Sequence, residues 1–202
     1  PTITIKEFLY NFPASSTTEE SSASQQDKIV NAMNTAYPGV KHTHPHTGNV
    51  LRYADMAITF LYTAEDFIAA NNGKICNING TSIVSRMVFE GGTSVFIPAD
   101  HPTDGYSSGG TWCENKLEIW YGKGLKSDIS SVFHHGFGGG AHEAIYYAIA
   151  PSVVLWDTDI YRFDLANGAG NSRNSYFCEN NDIKNFVFLA ASNITVMNLR
   201  NG

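Results

Sequence analysis

The chain has 202 residues, of which 43% are hydrophobic and 12% aromatic, enough apolar material to bury one domain's core. Charged residues make up only 16% and the net charge is −6 with no basic stripe, which argues against nucleic acid or an anionic membrane as a partner. No apolar run approaches the roughly 18 residues of a membrane helix. The opening Pro1-Thr2-Ile3-Thr4-Ile5-Lys6 lacks the basic start and apolar core of a secretory signal.

Thr2 to Ile5 read as a short strand, followed by the aromatic tail Phe8-Leu9-Tyr10-Asn11-Phe12. Ser, Thr, Glu and Gln dominate 13–26, which reads as a linker. A helix is expected over 25–37, where Ile29, Val30, Met33 and Tyr37 recur at helical steps and Pro38-Gly39 ends it. Residues 1–40 thus form an N-terminal arm, linker and short helix, and 41–202 a single β-rich domain.

Residues 56–62 suit a strand by composition, and Thr63-Ala64-Glu65-Asp66 opens a short helix that Asn71-Asn72-Gly73 stops. Strands are expected over 83–90 and 93–98, joined at Gly91-Gly92 by a two-residue hairpin turn. Leu117, Ile119 and Tyr121 alternate, and 144–150 and 153–156 are apolar runs of strand length. Tyr161, Phe163 and Leu165 alternate again, and 185–189 and 194–199 close the chain as strands. Many short strands punctuated by Gly and Asn predict a mainly β fold, an antiparallel sandwich or jelly roll, with one or two short helices in the N-terminal third.

Cys76, Cys113 and Cys178 are odd in number and widely spaced, which predicts reduced thiols rather than a disulfide framework or a paired zinc motif. Asp157-Thr158-Asp159 begins like a calcium loop, but Tyr161 stands where a third ligand belongs. Trp112, Trp120 and Trp156 are core candidates, with Trp112 also a candidate ligand-binding residue for stacking a sugar.

The densest group of metal-binding side chains is His42-Thr43-His44-Pro45-His46, with Asp55 downstream. In an extended segment the three imidazoles share one face, and Pro45 favours an edge or loop. His42, His44 and Asp55 fit the spacing His-x-His-Pro, then a polar position, then Asp, which resembles the metal-binding segment of the JAMM/Mov34 metallopeptidase family. That resemblance implies a zinc hydrolase with two imidazole ligands, one carboxylate ligand and a metal-bound water. Arg52 departs from it by standing where the family carries Ser. The His-x-His element is also similar to the metal-holding tips of phage fibres and spikes. That likeness implies a homotrimer in which each chain donates a histidine pair, His42 with His44 or His44 with His46, to one metal, zinc or iron, on the threefold axis.

His134-His135-Gly136 leads into a glycine-rich stretch that ends at His142-Glu143. Successive backbone N–H groups there suit an anion, with the histidines as candidate ligand-binding or acid–base residues. Tyr146 occupies the second ligand position of His-Glu-x-x-His, so this is not that zinc motif. The leading expectation is a non-enzymatic recognition or assembly protein of a virion or extracellular setting, binding a glycan or protein surface. Two alternatives are a zinc hydrolase using His42, His44 and Asp55, and a toxin or effector domain using His134, His135 and His142.

Overall fold

The computed structural model describes residues 4–12, 24–71, 78–101, 106–108, 111–113, 117–136, 143–156, 185–190 and 193–198. The elements in order are β1 (Glu7–Leu9), α1 (Ser24–Ala36), β2 (Lys41–Thr43), β3 (Val50–Tyr53), β4 (Met56–Tyr62), α2 (Ala64–Ala70), β5 (Val84–Phe89) and β6 (Ser94–Ile97). There follow β7 (Tyr106–Ser108), β8 (Thr111–Cys113), α3 (Leu117–Tyr121), β9 (Ile129–Ser131), α4 (Glu143–Ile149), β10 (Val153–Trp156), β11 (Asn185–Ala190) and β12 (Asn193–Asn198). Single 3₁₀ turns lie at Ile78–Thr81, Gly122–Leu125 and Phe133–Gly136.

The fold is mainly β with a few short helices. One mixed sheet has the order β12-β11-β10-β9-β6-β5-β4-β3, and β1·β2 and β7·β8 form two small sheets. The expected antiparallel pairing holds for β3 to β6 and for β11·β12. Between them β6, β9, β10 and β11 run parallel. A parallel step needs a crossover; α3 lies in the one from β6 to β9 and α4 in the one from β9 to β10, and the β10–β11 connection lies outside the described residues. Helices are accordingly not confined to the N-terminal third: α3 precedes β9 and α4 precedes β10.

Both later helices fall on runs that read as strands. In α4, Ile145, Tyr146 and Ile149 are fully buried while Tyr147 is 59% exposed, which is helical periodicity. In α3, Leu117 is buried and Tyr121 packs on the core four residues later, leaving Ile119 and Trp120 outside. Apolar runs this short do not distinguish the two conformations by themselves. The first strand among the described residues is Glu7–Leu9; Thr4 and Ile5 of the expected 2–5 strand are not in it, and Thr2 and Ile3 lie outside the described residues.

Elsewhere the breakers act as read. Thr63 caps α2 through a capping box: its backbone N–H donates to Asp66 Oδ2 at 2.9 Å, and Asp66 also accepts from the Thr63 hydroxyl at 3.3 Å. The β5–β6 turn is one residue longer than expected. The Phe89 N–H donates to the Thr93 carbonyl at 2.9 Å and the Gly92 N–H to the Phe89 carbonyl at 2.8 Å. Gly92, at φ +87°, fills the left-handed position that a three-residue hairpin requires.

The N-terminal arm is tied to strand β2. β1 pairs with it in parallel, and Glu7 accepts from Lys41 Nζ at 2.7 Å and from the Thr43 hydroxyl at 2.5 Å. These donors, Lys41 first, hold the Glu7 carboxyl below its usual range. The core joins Tyr62, Val84, Phe96, Val154 and Trp156 of the sheet to Phe67, Leu117, Ile145 and Ile149 of the helices, with Phe133 between them. No helix among the described residues is long and apolar enough to cross a membrane.

At the amino ends of the parallel strands Asp128 Oδ2 accepts from the Ser94 N–H and hydroxyl, both at 2.8 Å. The two donors, the hydroxyl first, hold the Asp128 carboxyl below its ordinary value. A carboxylate depressed on folding contributes stability that is whole above its unfolded pKa, about 3.9, and lost as the pH falls through the folded value. Titration of Asp128 followed by carboxyl carbon shifts should therefore show a midpoint below about 3.9, rising toward it in Ser94→Ala. An unchanged midpoint in that variant would remove the hydroxyl as the cause.

Gly80 gives a second check. A Cβ built there lies 2.2 Å from Cε2 and Cζ of the fully buried Phe67 ring. Gly80→Ala should lower the free energy of urea unfolding by about 1–3 kcal/mol. Gly91→Ala, which meets nothing within 4 Å, should stay within about 0.5 kcal/mol of the parent.

Candidate functional site

The two histidine groups singled out in the sequence have different fates. Strand β2 ends at Thr43, so only His42 of the first group lies on it. The His42 Nε2 lies 2.7 Å from Asn34 Oδ1 of α1, and its ring meets Phe8 and Tyr10 edge-on. His44 lies against Tyr10 with ring centroids 4.3 Å apart. His46 turns instead to α2, its Nδ1 3.2 Å from Glu65 Oε1.

Glu65 is held by several partners at once. Asn11 Nδ2 donates to both its carboxylate oxygens, at 3.1 and 2.9 Å, and to the Pro45 carbonyl at 2.7 Å. Burial pulls the Glu65 carboxyl upward, but hydrogen bonds from Thr63, its own N–H and Asn11, with the nearby His46, outweigh it and leave the group below its usual range. Asp55 is exposed in the β3–β4 turn. Among the described residues, no three His, Cys, Asp or Glu side chains gather into a group able to hold a metal.

The second group sits where two strands end together. β6 and β9 are parallel neighbours, so their carboxyl ends share one edge of the sheet. After β6 the chain turns through Pro98, Ala99 and Asp100, and the His101 N–H donates back to the Pro98 carbonyl at 3.2 Å. After β9 it turns through Phe133, His134 and His135. The two turns are joined by the His134 N–H, which donates to the Ala99 carbonyl at 3.0 Å.

This corner is strained. Ala99 (φ +52°), His134 (+45°) and His135 (+52°) are three of the five non-glycine residues in the left-handed region among the described residues. Each such residue costs on the order of 1–2 kcal/mol, and strain of this kind collects at functional sites. The side chains are held as well. His135 Nε2 lies 3.2 Å from Asp100 Oδ1, and both groups are less than half exposed, at 43% and 41%. His134 Nε2 lies 3.2 Å from Asn79 Nδ2; with that amide donating, the imidazole proton belongs on Nδ1. His101 is fully buried, its ring 4.5 Å from that of Tyr62.

The turn that carries the histidines is anchored from below. The Phe133 N–H donates to the buried Tyr146 hydroxyl at 3.1 Å, and the Phe133 ring packs between Phe96 and Tyr146 at 5.9 and 5.4 Å. Tyr146, out of place as a zinc ligand, thus has a structural use.

His134 and His135 were legible as candidates; Asp100, Asn79 and His101 were not. The signal for Asp100 was its place just past the predicted 93–98 strand, matching His-His past a second apolar run. His142 lies outside the described residues. So do Asp157 and Asp159 and, apart from its backbone on β8, Trp112.

Tyr146→Phe would strand a buried N–H on Phe133. It should lower unfolding stability by about 1–3 kcal/mol and broaden the amide resonances of His134 and His135. Stability within error of the parent would show that the turn does not depend on this bond. In sequence, no known protein family matches this chain, and no curated protein matches it.

Proposed function

We propose that the chain is a hydrolase working through a divalent metal ion, with the corner of Ala99, Asp100, His134 and His135 as its catalytic site. The observation that carries this reading is the Asp100–His135 pair, held at 3.2 Å on strained turns past the carboxyl ends of parallel strands. That edge is where ligands bind in open sheets with parallel strands. One carboxylate and one imidazole are the donor types that zinc or iron takes. A catalytic zinc uses three protein ligands and one water; Asp100 and His135 would supply two, and no third is grouped with them among the described residues.

A divalent metal at this corner would supply Lewis-acid and water-activating chemistry. Asp100 and His135 are the residues that would hold it. His134, held against Asn79, would help to position the substrate at the same corner. The ligand set His42, His44 and Asp55 has less support, because Asn34 engages His42 and Tyr10 covers His44.

A second reading is a non-enzymatic recognition or assembly protein, such as a virion adhesin. It is favoured by Ile119, Trp120 and Tyr147, which α3 and α4 leave 75%, 48% and 59% exposed. Aromatic surface on a charge-poor protein suits contact with a glycan or protein.

Elemental analysis of untagged protein, with chromogenic phosphodiester and ester substrates, separates the two. The hydrolase reading expects bound metal, and turnover that a chelator removes. Asp100→Asn and His135→Ala should each lower turnover by about 100-fold or more and reduce metal content, with the circular dichroism unchanged. Metal lost in His44→Ala but kept in both corner variants would move the site to the first histidine group. Metal-free, inactive wild-type protein would leave the recognition reading.

A further inference from the structure

Strand β4 ends at the same edge of the sheet as the histidine corner. It is antiparallel to β5, and β5 to β6, so β4 runs in the direction of β6 and β9. The register pairs Tyr62 with Val84, and the next residue of β5, Ser85, with Ile97. Tyr62 therefore stands level with Pro98, where the chain leaves β6 for Ala99 and Asp100. Two strand spacings, about 10 Å, separate these positions. The Tyr62 ring meets the turn itself, packing at 4.5 Å on the ring of His101, the residue after Asp100, and at 5.6 Å on Trp120.

Tyr62 is fully buried, yet its hydroxyl has no hydrogen-bond partner among the described residues. Nearby tyrosines are satisfied. The Tyr121 hydroxyl donates to the Leu61 carbonyl at 2.8 Å, and the Tyr146 hydroxyl accepts from the Phe133 N–H at 3.1 Å. A hydroxyl buried without a partner forfeits the bonds it made to water. Native proteins keep few such groups, and each calls for a reason. Phenylalanine at this position would keep the ring packing and carry no such penalty.

We infer that the Tyr62 hydroxyl contacts the substrate, donating a hydrogen bond to the carbonyl or phosphoryl oxygen of the bond cleaved at the corner of Asp100 and His135. This role rests on the hydrolase reading of that corner. The oxygen gains negative charge as hydrolysis proceeds, and a donor fixed beforehand in a dry site stabilises it more than water does. Tyr62 suits the task in two ways. Its ring is already held by His101 and Trp120, so little side-chain freedom is lost when substrate arrives. Burial first, and then the nearby Asp66 carboxylate, push the phenol pKa up, so the group stays protonated and able to donate at neutral pH and well above it.

Tyr62→Phe tests this by steady-state kinetics on the chromogenic ester and phosphodiester substrates together with thermal melting. Its kcat should fall about a hundredfold, the effect of losing one donor to a developing oxyanion. KM should change by less than about threefold, because the bond strengthens in the transition state. The melting temperature should rise, since an unpartnered polar group leaves the core. Tyr121→Phe should do the reverse, melting lower with kcat within about threefold of the parent. A Tyr62→Phe protein that melts lower or fails to fold would mean that the hydroxyl is held by a buried water only, and overturns the inference. An unchanged kcat in Tyr62→Phe, with activity lost in Asp100→Asn and His135→Ala, overturns it alone. Inactive wild type, or full activity in both corner variants, overturns the hydrolase reading of the corner and this role with it.

Discussion

Asp128 is where three strands are held in line. Its carboxylate receives the Ser94 N–H and hydroxyl, and its own N–H donates to the Ser94 carbonyl at 3.1 Å. Its carbonyl in turn accepts from the N–H groups of Ser152 and Val153 at 2.9 and 3.2 Å. One residue therefore joins the starts of β6, β9 and β10. The ladder between β6 and β9 pairs only Val95 with Ile129 and Phe96 with Ser130, which is too short to set register alone. Arg86 adds a further tie by donating from Nε to the Ser127 hydroxyl at 3.2 Å. With the amino ends fixed this way, the carboxyl ends two or three residues later must also lie side by side. Asp100 and His135 meet for that reason.

The held end and the strained end of these strands divide the work. Left-handed backbone at Ala99, His134 and His135 is unfavourable for residues with a Cβ. Removing Phe96, Phe133 and Tyr146 from water, each fully buried, stabilises by more than the turns cost. The strain also has a geometric result. Consecutive histidines reach different partners, Asn79 and Asp100, in different segments of the chain. A relaxed turn would let both side chains sample many rotamers, whereas this one fixes each imidazole by a contact at 3.2 Å.

Much of this was legible in sequence where a residue acts locally. Thr63 and Asp66 announce the start of α2, Pro38-Gly39 the end of α1, and Gly92 the β5–β6 turn. The parallel arrangement was not legible, because it depends on which distant strands become neighbours. For the same reason the sequence offered His134 and His135 without Asp100. It instead drew attention to His42, His44 and His46, which are close along the chain but are engaged by Asn34, Tyr10 and Glu65 respectively. Closeness in sequence measures the density of donors. A site also requires elements that aim those donors at one point.

The two faces of the sheet explain why Asp128 matters so much. Where one face is apolar and the other polar, a one-residue slip exposes the core side and is strongly disfavoured. Here both sides of the central strands are largely apolar: β10 reads Val153-Val154-Leu155-Trp156, and β6 sets Phe96 against Val95 and Ile97. Such runs are characteristic of parallel strands covered on both faces, and their pattern alone penalises slippage weakly. Register must then come from groups that tolerate only one partner. A buried Ser94, 4% exposed, with its hydroxyl directed at Asp128 is such a group, since a shift of one residue would offer the carboxylate Val95 instead. The same pair thus fixes which residues enter the core, which form the apolar row opposite, and which side chains meet at the far end of the strands.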